Sequence, residues 1–358
     1  MQLFNKIINI LTLLLIISSS VKAQKIQYWD DNSFKGKMVE EDIVLILNID
    51  DEEANALFFF EKDGKNIFLD CQQKEDSLIL KSNYESNFKG IFKLKLVSKR
   101  TSAIGVWESA EGKIKDVTVH KTNSKEWAQG VDRKLASKIT AMVPFYKFSP
   151  SNIIKLNAMR FKNDNTSNGL TWKSEVLSNV RFPRTQNEAL NQKLEGLHYN
   201  FATQVLNAYK GSNGGSLHID CTVLMNSASL LSLKVEIVDN AGFGKNKTNI
   251  ITYLFDKVTG QFYKLEDVLL LENIVEDDFS SITNLALKDL LNKHYGNATK
   301  DGSCNYEDWA SIGLSTWALT ENELLIIPSS SHQFCNKSFS IKFDALNFQI
   351  PFKAKILK

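Results

Sequence analysis

The sequence contains few prolines and carries almost no net charge. Only five of its 358 residues are proline, which argues against a proline-rich stalk or linker. The 43 Lys and Arg residues nearly balance the 41 Asp and Glu residues, so the formal net charge is +2. The lysines are scattered, so the chain lacks the strong positive field that recruits nucleic acid or an anionic membrane. We therefore expect no nucleic-acid partner.

Motifs of familiar catalytic centres are also missing. The chain contains no G-x-S-x-G nucleophile turn, no phosphate-binding loop and no H-E-x-x-H zinc motif. Its five histidines are His120, His198, His218, His294 and His332, and we interpret each as structural or solvated. His332 and Cys335 have a ligand-like spacing but no companion residues, so we predict no metal and no cofactor. The sequence favours a protein that is not an enzyme.

Only four cysteines are present, and none belongs to a C-x-x-C pair. This spacing spells out neither a redox motif nor a zinc knuckle. Cys304 and Cys335 flank a segment that is predicted to be a hairpin, so we expect a disulfide between them. Cys71 and Cys221 lie in different predicted domains, and they either pair with each other or remain thiols.

The amino terminus has the three-part layout of a secretory signal peptide. Residues 1–6 carry one positive charge, residues 7–17 are mostly apolar, and small residues precede Gln24. A transmembrane anchor is the alternative, but a spanning helix needs roughly 20 apolar residues. We predict that residues 1–23 are a cleaved signal peptide. The mature protein is then expected to be secreted or periplasmic and not to span a membrane.

Residues 24–123 are predicted to form an all-β meander. Short apolar or alternating runs recur at the spacing of about 8–12 residues that is typical of small all-β domains. Asp63-Gly64 and Glu111-Gly112 supply turn signals between such runs. At residues 92–96, Lys alternates strictly with apolar residues, which places polar and apolar side chains on opposite faces. The pattern favours a small barrel or a sandwich.

Residues 124–150 are interpreted as a connector that can include a short helix, because their apolar positions are unevenly spaced. The runs 153–161 and 170–180 predict two strands, separated by a polar turn at 163–169. A helix is predicted next, with a capping box of Thr185 and Glu188 at its start and Gly211 at its end. Its apolar stripe is typical of a helix face packed on a sheet.

The remaining elements predict an α+β domain over residues 151–358. Strands are expected at 217–225, 230–238, 248–255, 315–319, 323–328 and 338–343, and a second helix at 278–293. This order favours two helices packed against one mostly antiparallel sheet. The predicted fold class is therefore α+β, with an all-β meander followed by an antiparallel sheet and two helices.

An ordered set of short motifs marks this second domain. A strand leads into Asp256-Lys257-Val258-Thr259-Gly260, and Leu265-Glu266-Asp267 then opens a helix. This order resembles the extracytoplasmic domain of RsiV-type anti-sigma factors and PdaC-type polysaccharide deacetylases, over roughly residues 153–356. The resemblance implies an α+β binding or sensing module, which in the anti-sigma factors binds lysozyme. The preceding meander is similar to β-domains of exported Bacteroidetes-type proteins.

The chain departs from that family in two respects. It has no transmembrane helix and no cytoplasmic sigma-binding segment, so we do not expect a complete anti-sigma factor. Its loop at 239–247 also lacks the Gly-Gly-Ala-His character that is common at this hairpin in the family. The resemblance therefore assigns no binding residue.

We expect an exported, non-enzymatic envelope module that binds a lysozyme-like protein or a cell-wall glycan. Exposed loops are the default place for binding residues, so Asn240, Phe243 and Lys245 are candidates in one loop, and His332 and Phe334 in another. An envelope hydrolase built from scattered carboxylates is an alternative, which carboxyl groups with raised pKa in a cleft would support. A structural or scaffold protein with a large apolar surface patch is another.

Overall fold

A computed structural model describes residues 32–49, 54–82, 88–122, 131–208, 216–240, 246–271, 281–301, 304–328 and 337–349, together with 352, 353 and 355. The predicted signal peptide lies outside these residues, as do Phe243, Lys245, His332, Phe334 and Cys335. Among the helices in these ranges, none combines the length and the apolar character that crossing a membrane requires.

The first part of the chain is a closed antiparallel barrel. Its strands are β1 (Ser33–Met38), β2 (Glu41–Ile49), β3 (Ala54–Phe60), β4 (Ile67–Lys74), β5 (Ser77–Ser82), β6 (Gly90–Val97), β7 (Ser102–Ser109) and β8 (Ile114–Lys121). Neighbours in sequence are neighbours in the sheet, and β1 pairs with both β2 and β8. The predicted meander is confirmed. It forms a barrel, which was one of the two predicted arrangements, and not a sandwich.

Alternating side chains fill the interior of the barrel. In β6, Phe92 and Leu94 are buried in the barrel core, whereas Lys93 and Lys95 between and beside them are exposed. This is the two-residue period expected of a strand with one face in a core. Apolar side chains from all eight strands therefore occupy the interior, as the alternation at residues 92–96 predicts.

Two helices follow the barrel, α1 (Arg133–Met142) and α2 (Pro150–Ala158). Helix α1 lies within the predicted connector, and its Ala136 and Ile139 are fully buried in a core of the second part. The described portion of the connector thus contributes core residues to the part of the chain that follows it.

Helix α2 corrects the prediction for residues 153–161. The predicted strand is wrong because Ser149 and Pro150 start a helix there. Ser149 Oγ accepts a hydrogen bond from Asn152 N at 3.3 Å, and proline suits the first helical position because no partner for its missing N–H is needed. The predicted polar turn at 163–169 is also wrong, since the turn itself is confined to Asn168 and Gly169.

Helix α3 (Glu188–Asn207) confirms the predicted helix but corrects its start and its end. Its amino-terminal cap is Asn187, whose Oδ1 accepts a hydrogen bond from Leu190 N at 2.8 Å. The predicted capping box of Thr185 and Glu188 is therefore wrong. The helix ends at Asn207, before the predicted Gly211, which lies outside the described residues. Its buried apolar stripe is as predicted and includes Leu190, Leu194, Leu197 and Phe201.

Three antiparallel sheets of three strands make up most of the second part. They are β9 (Phe161–Ser167), β10 (Leu170–Glu175) and β11 (Arg181–Arg184); β12 (Ser216–Asn226), β13 (Leu230–Asn240) and β14 (Asn246–Asp256); and β17 (Ser315–Leu319), β18 (Glu323–Pro328) and β19 (Phe339–Lys342). The strands predicted over 217–255 and 315–343 are confirmed. The prediction of a single sheet is wrong.

Shorter elements lie between these sheets. They are helices α4 (Leu265–Val268), α5 (Ile282–Tyr295) and α6 (Tyr306–Ser311), and the strand pair β15 (Lys300–Asp301) with β16 (Cys304–Asn305). The described residues therefore form six α-helices, so the prediction of two is wrong. The predicted start of α5, residue 278, lies outside the described residues.

Two hydrophobic cores hold the second part together. Helices α1 to α3 form one core with the sheet of β12 to β14, and helices α4 to α6 form the other with the sheet of β17 to β19. The sheet of β12 to β14 contributes to both, because the neighbouring residues Phe255 and Leu254 point to opposite sides. Helix α1 approaches α3 closely at Gly196, where a Cβ atom would lie 2.0 Å from Lys138 O.

Strand β2 joins the barrel to the second part. Val44 and Ile46 on its outer face are buried against Ile154 of α2, while the alternate residues face the barrel core. A strand that is buried on both faces is apolar at consecutive positions. This explains the uninterrupted run Ile43-Val44-Leu45-Ile46-Leu47.

The turn that carries the family resemblance is organised around Asp256. Its Oδ1 accepts hydrogen bonds from Val258 N at 2.8 Å and Thr259 N at 2.7 Å, and its Oδ2 accepts from Tyr263 OH at 2.9 Å and from Lys355 Nζ. Burial alone would raise the pKa of this carboxyl, but these donors together hold the pKa well below its usual range. The turn is therefore organised around one buried carboxylate, although Val258 at its tip is exposed.

The cysteines are only partly paired. Cys304 is disulfide-bonded, and its predicted partner Cys335 lies outside the described residues. Cys71 and Cys221 are free thiols, so the alternative of a disulfide between them is excluded. Burial raises the pKa of both thiols, which disfavours the reactive thiolate form.

Candidate functional site

A groove of about 420 Å³ lies where the three sheets of the second part meet. It is lined by Ser167, Asn168, Leu170, Trp172, Val223, Leu224, Met225, Asn226 and Glu321. The β9–β10 hairpin, the end of β12 and the turn between β17 and β18 each contribute residues. The volume is within the range of small-ligand pockets.

Two β-bulges border this groove, one from each neighbouring sheet. In the β9–β10 pair, Asp164 and Asn165 together face the single residue Trp172. In the β12–β13 pair, Leu224 is the extra residue between two register positions. Trp172 and Leu224 both line the groove. Bulges redirect side chains and are over-represented beside functional sites, so their convergence marks the groove as a built feature.

Arg181 holds the first bulge in place. Its guanidinium lies 4.5 Å from the ring centre of Trp172, and its Nε lies 3.2 Å from a carboxylate oxygen of Asp164. It also donates a hydrogen bond to Asn165 Oδ1. One cation thus contacts both bulge residues and the ring that they face. The orientation of the indole is therefore set before any ligand arrives.

Asn226 is fixed at the other side of the groove. Its Nδ2 donates to Asn168 O at 2.5 Å, which ties the end of β12 to the β9–β10 turn. Its Oδ1 accepts from Lys257 Nζ at 2.8 Å, and the same ammonium donates to Ser227 O at 2.7 Å. Burial lowers the pKa of Lys257. The amide is consequently a rigid part of the wall.

The groove combines apolar surface with neutral polar groups. Polar groups make up most of the accessible lining, and the half-buried Trp172, Val223 and Leu224 supply its apolar part. Among the described lining residues, Glu321 is the one that carries a charge. Hydroxyl groups both donate and accept hydrogen bonds, which suits amides, a serine hydroxyl and a carboxylate. An uncharged ligand with hydroxyl groups and C–H faces matches this mixture, and a sugar chain is such a ligand.

A larger cleft of about 540 Å³ lies between the barrel and α2. It contains several carboxylates, but Glu41 accepts a hydrogen bond from Lys62 Nζ at 2.5 Å and lies 3.7 Å from Lys115 Nζ. Glu61 is paired with Lys35 at 2.9 Å. The hydrogen bond from Lys62 lowers the pKa of Glu41 despite an opposing effect of burial. This is the opposite of the raised pKa that a general acid needs.

A serine and a histidine also meet on the barrel. Ser102 Oγ lies 2.9 Å from His120 Nδ1, because these residues face each other across β7 and β8. Neither residue lines the groove or the cleft. A nucleophile and base need a substrate pocket and a third orienting group. Within the described residues, moreover, no three His, Cys, Asp or Glu side chains are arranged to hold a metal.

The predicted binding residues lie elsewhere or outside the described ranges. Asn240 ends β13 and pairs with Ser216 and Asn246, at the opposite end of the sheet from the groove. Phe243, Lys245, His332 and Phe334 fall outside the described residues, and their binding role stays a prediction. No sequence motif singled out Trp172 or Asn226, because a bulge is defined by strand pairing.

A comparison with protein families finds no family model that matches the chain, and a comparison with curated proteins finds no match. The resemblance to the RsiV-type and PdaC-type domain stays a prediction.

Proposed function

We propose that the chain is an exported envelope protein that binds a glycan in the groove without acting on it. The observation that carries the proposal is the convergence of two bulges, at Trp172 and Leu224, on one groove with apolar and amide surfaces. Rigid placement by Arg181 and Lys257 lowers the entropy cost of binding. The signal-peptide pattern at residues 1–23 supports export.

The charge state of the larger cleft supports binding over hydrolysis. Its Glu41 has a lowered pKa, and Glu41 and Glu61 each lie beside a lysine ammonium. A lowered pKa keeps Glu41 ionised near neutral pH, so it does not supply the proton that glycosidic cleavage requires. The lowered pKa of Glu41 in the cleft therefore favours a protein that binds a glycan in the groove over one that hydrolyses it in the cleft.

The test is calorimetry with the protein lacking residues 1–23 and soluble peptidoglycan fragments. We expect saturable binding that Trp172→Ala weakens at least tenfold, equivalent to about 1.4 kcal/mol. Glu321→Gln changes an exposed turn residue and should weaken binding severalfold without affecting the fold. Phe145→Ala is the matched control, because it removes an aromatic ring that is 85% exposed and does not line the groove.

Three outcomes decide among the candidates. Binding that survives both groove variants would show that the ligand sits elsewhere. New reducing ends after incubation would instead identify a hydrolase. A titration with lysozymes in the same buffer tests the protein-ligand prediction, and a saturable complex there without any glycan binding would replace the proposal.

A further inference from the structure

Lys355 contacts two turns of the second part at once. Its Nζ donates hydrogen bonds to Asp256 Oδ2 and to Tyr263 OH, in the segment that follows β14. Its carbonyl oxygen accepts from Ser229 Oγ at 2.9 Å, in the turn between β12 and β13. The Asp256 side chain is only 2% exposed, so removal of the ammonium would leave a buried carboxylate without its counter-ion. Lys355 therefore ties the two turns together.

Lys257, in the turn after β14, adds a second connection between the same turns. Its backbone N donates to Ser229 O at 2.7 Å. Its Nζ donates to Ser227 O at 2.7 Å and to Asn226 Oδ1 at 2.8 Å. The last of these contacts reaches the groove, because Asn226 lines it. A continuous set of hydrogen bonds thus runs from Lys355 to the wall of the groove.

Lys257 also decides which way the amide of Asn226 faces. An ammonium group only donates hydrogen bonds, so the amide oxygen faces Lys257 and the amide nitrogen faces away from it. That nitrogen donates to Asn168 O at 2.5 Å, and Asn168 also lines the groove. The opposite orientation of the amide would bring two oxygens together at this contact. The position of Lys257 therefore sets the amide and, through it, the contact with the β9–β10 turn.

We propose that Lys355 is a positioning residue for the groove, and that docking of the segment around it is coupled to glycan binding. The inference rests on the proposed function and adds a means of regulating it. Lys355 does not line the groove, so it acts through the two turns and Asn226. A wall that is already ordered binds its ligand at a lower entropy cost. Because coupling is reciprocal, bound glycan should also favour the docked state of Lys355.

The first measurement needs no ligand. Hydrogen exchange, followed by mass spectrometry, is measured on the protein without its predicted signal peptide and on the variants Lys355→Met and Ser229→Ala. Both substitutions should speed exchange severalfold in residues 223–230 and leave α3 unchanged. Lys353→Met is the matched control, because this exposed lysine lies two residues away. Ser229→Ala retains the ion pair of Lys355, so it remains informative if Lys355→Met fails to fold.

Calorimetry with soluble peptidoglycan fragments then measures the coupling. Lys355→Met should weaken glycan binding about three- to tenfold, whereas Lys353→Met should leave it unchanged. If Lys355 acts through Asn226, the double variant with Asn226→Ala should bind no more weakly than Asn226→Ala alone. Bound glycan should in turn slow hydrogen exchange in the segment around Lys355 of the natural chain.

Two results would overturn the inference. One is equal exchange in residues 223–230 of Lys355→Met and Lys353→Met, whether or not a glycan binds. The other is a full addition of the two losses in the double variant, because Lys355 would then act apart from Asn226. The absence of glycan binding by the natural chain would overturn the proposed function. The exchange measurement would then decide separately whether Lys355 positions the groove wall.

Discussion

At the scale of single residues, the second part stabilises a histidine in its neutral form. His198 Nε2 lies 2.8 Å from Val180 O, and its Nδ1 lies 3.1 Å from Arg184 Nη2. Because an arginine can only donate, Nδ1 is the acceptor and the proton sits on Nε2. Burial, and then the charge of Arg184, lower the pKa of His198 from 6.5 to about 3.

This shift predicts a loss of stability in mild acid. Between pH 6.5 and about 3 the unfolded chain binds a proton at His198 that the folded chain does not, so stability falls as pH decreases through this window. Going from about pH 7 to about pH 5 should cost about 2 kcal/mol of unfolding free energy from this residue. Urea unfolding measures it, and carboxyl groups with ordinary pKa values stay largely ionised in that range.

His198→Gln is the comparison for this measurement. The variant should be less stable at neutral pH, because the amide does not reproduce both hydrogen bonds of the imidazole ring, but its stability should depend less on pH. An unchanged dependence on pH would show that another group is responsible.

At the scale of elements, the predictions that failed for α2 and α3 concern the residues at which these helices begin. The Ser149-Pro150 start of α2 and the Asn187 cap of α3 each place a side-chain oxygen on a free backbone N–H of the first turn. The sequence pattern for Thr185 and Glu188 satisfies the capping-box rule equally well. Only the backbone path, in which Thr185 Oγ1 accepts from Asn187 N at 3.1 Å, separates the two.

The two caps predict different mutational costs. Asn187→Ala should lower the free energy of unfolding by about 1 kcal/mol, because Leu190 N loses its acceptor. Glu188→Ala should cost only about 0.3–1 kcal/mol, through the helix dipole, and should fall at the low end because Glu188 is exposed. Urea denaturation of both variants checks the order. A larger loss of unfolding free energy for Glu188→Ala than for Asn187→Ala would instead support a capping box of Thr185 and Glu188.

At the scale of the whole molecule, a buried lysine links the barrel to the second part. Lys155 of α2 is fully buried, and its Nζ donates to Asn66 Oδ1 at 2.7 Å and to Asn207 Oδ1 at 2.5 Å. The ammonium also lies 4.6 Å from the ring centre of Phe59. Since Asn66 precedes β4 and Asn207 ends α3, one cation holds both parts at a set distance.

Removal of this cation should weaken the junction. Lys155→Met keeps the stem but leaves two amide oxygens without their donor, at a cost of about 1–3 kcal/mol. We expect calorimetry to show a lower unfolding temperature and two separate transitions. Lys134→Met, at an exposed position of α1, is the control and should unfold like the natural chain. A single transition at unchanged temperature would mean that the apolar contact of Val44 and Ile46 suffices.

The sequence by itself determined the elements whose patterns are local. The barrel strands, the strands over 217–255 and the stripe of α3 follow from a period of two or 3.6 residues and from turn residues between them. Each such pattern reports which face is buried. Periodicity did not identify the helix within residues 153–161, because a short apolar run suits a strand and a buried helix equally well.

Only the tertiary structure decided the number of sheets, the junction and the groove. Trp172, Asn226 and Glu321 are far apart in the chain, and they meet because three sheets pack around two cores. The bulges exist only in the pairing between strands, so no single strand's sequence displays them. A residue pattern specifies which side chains are buried, whereas packing chooses the neighbours that they are buried against.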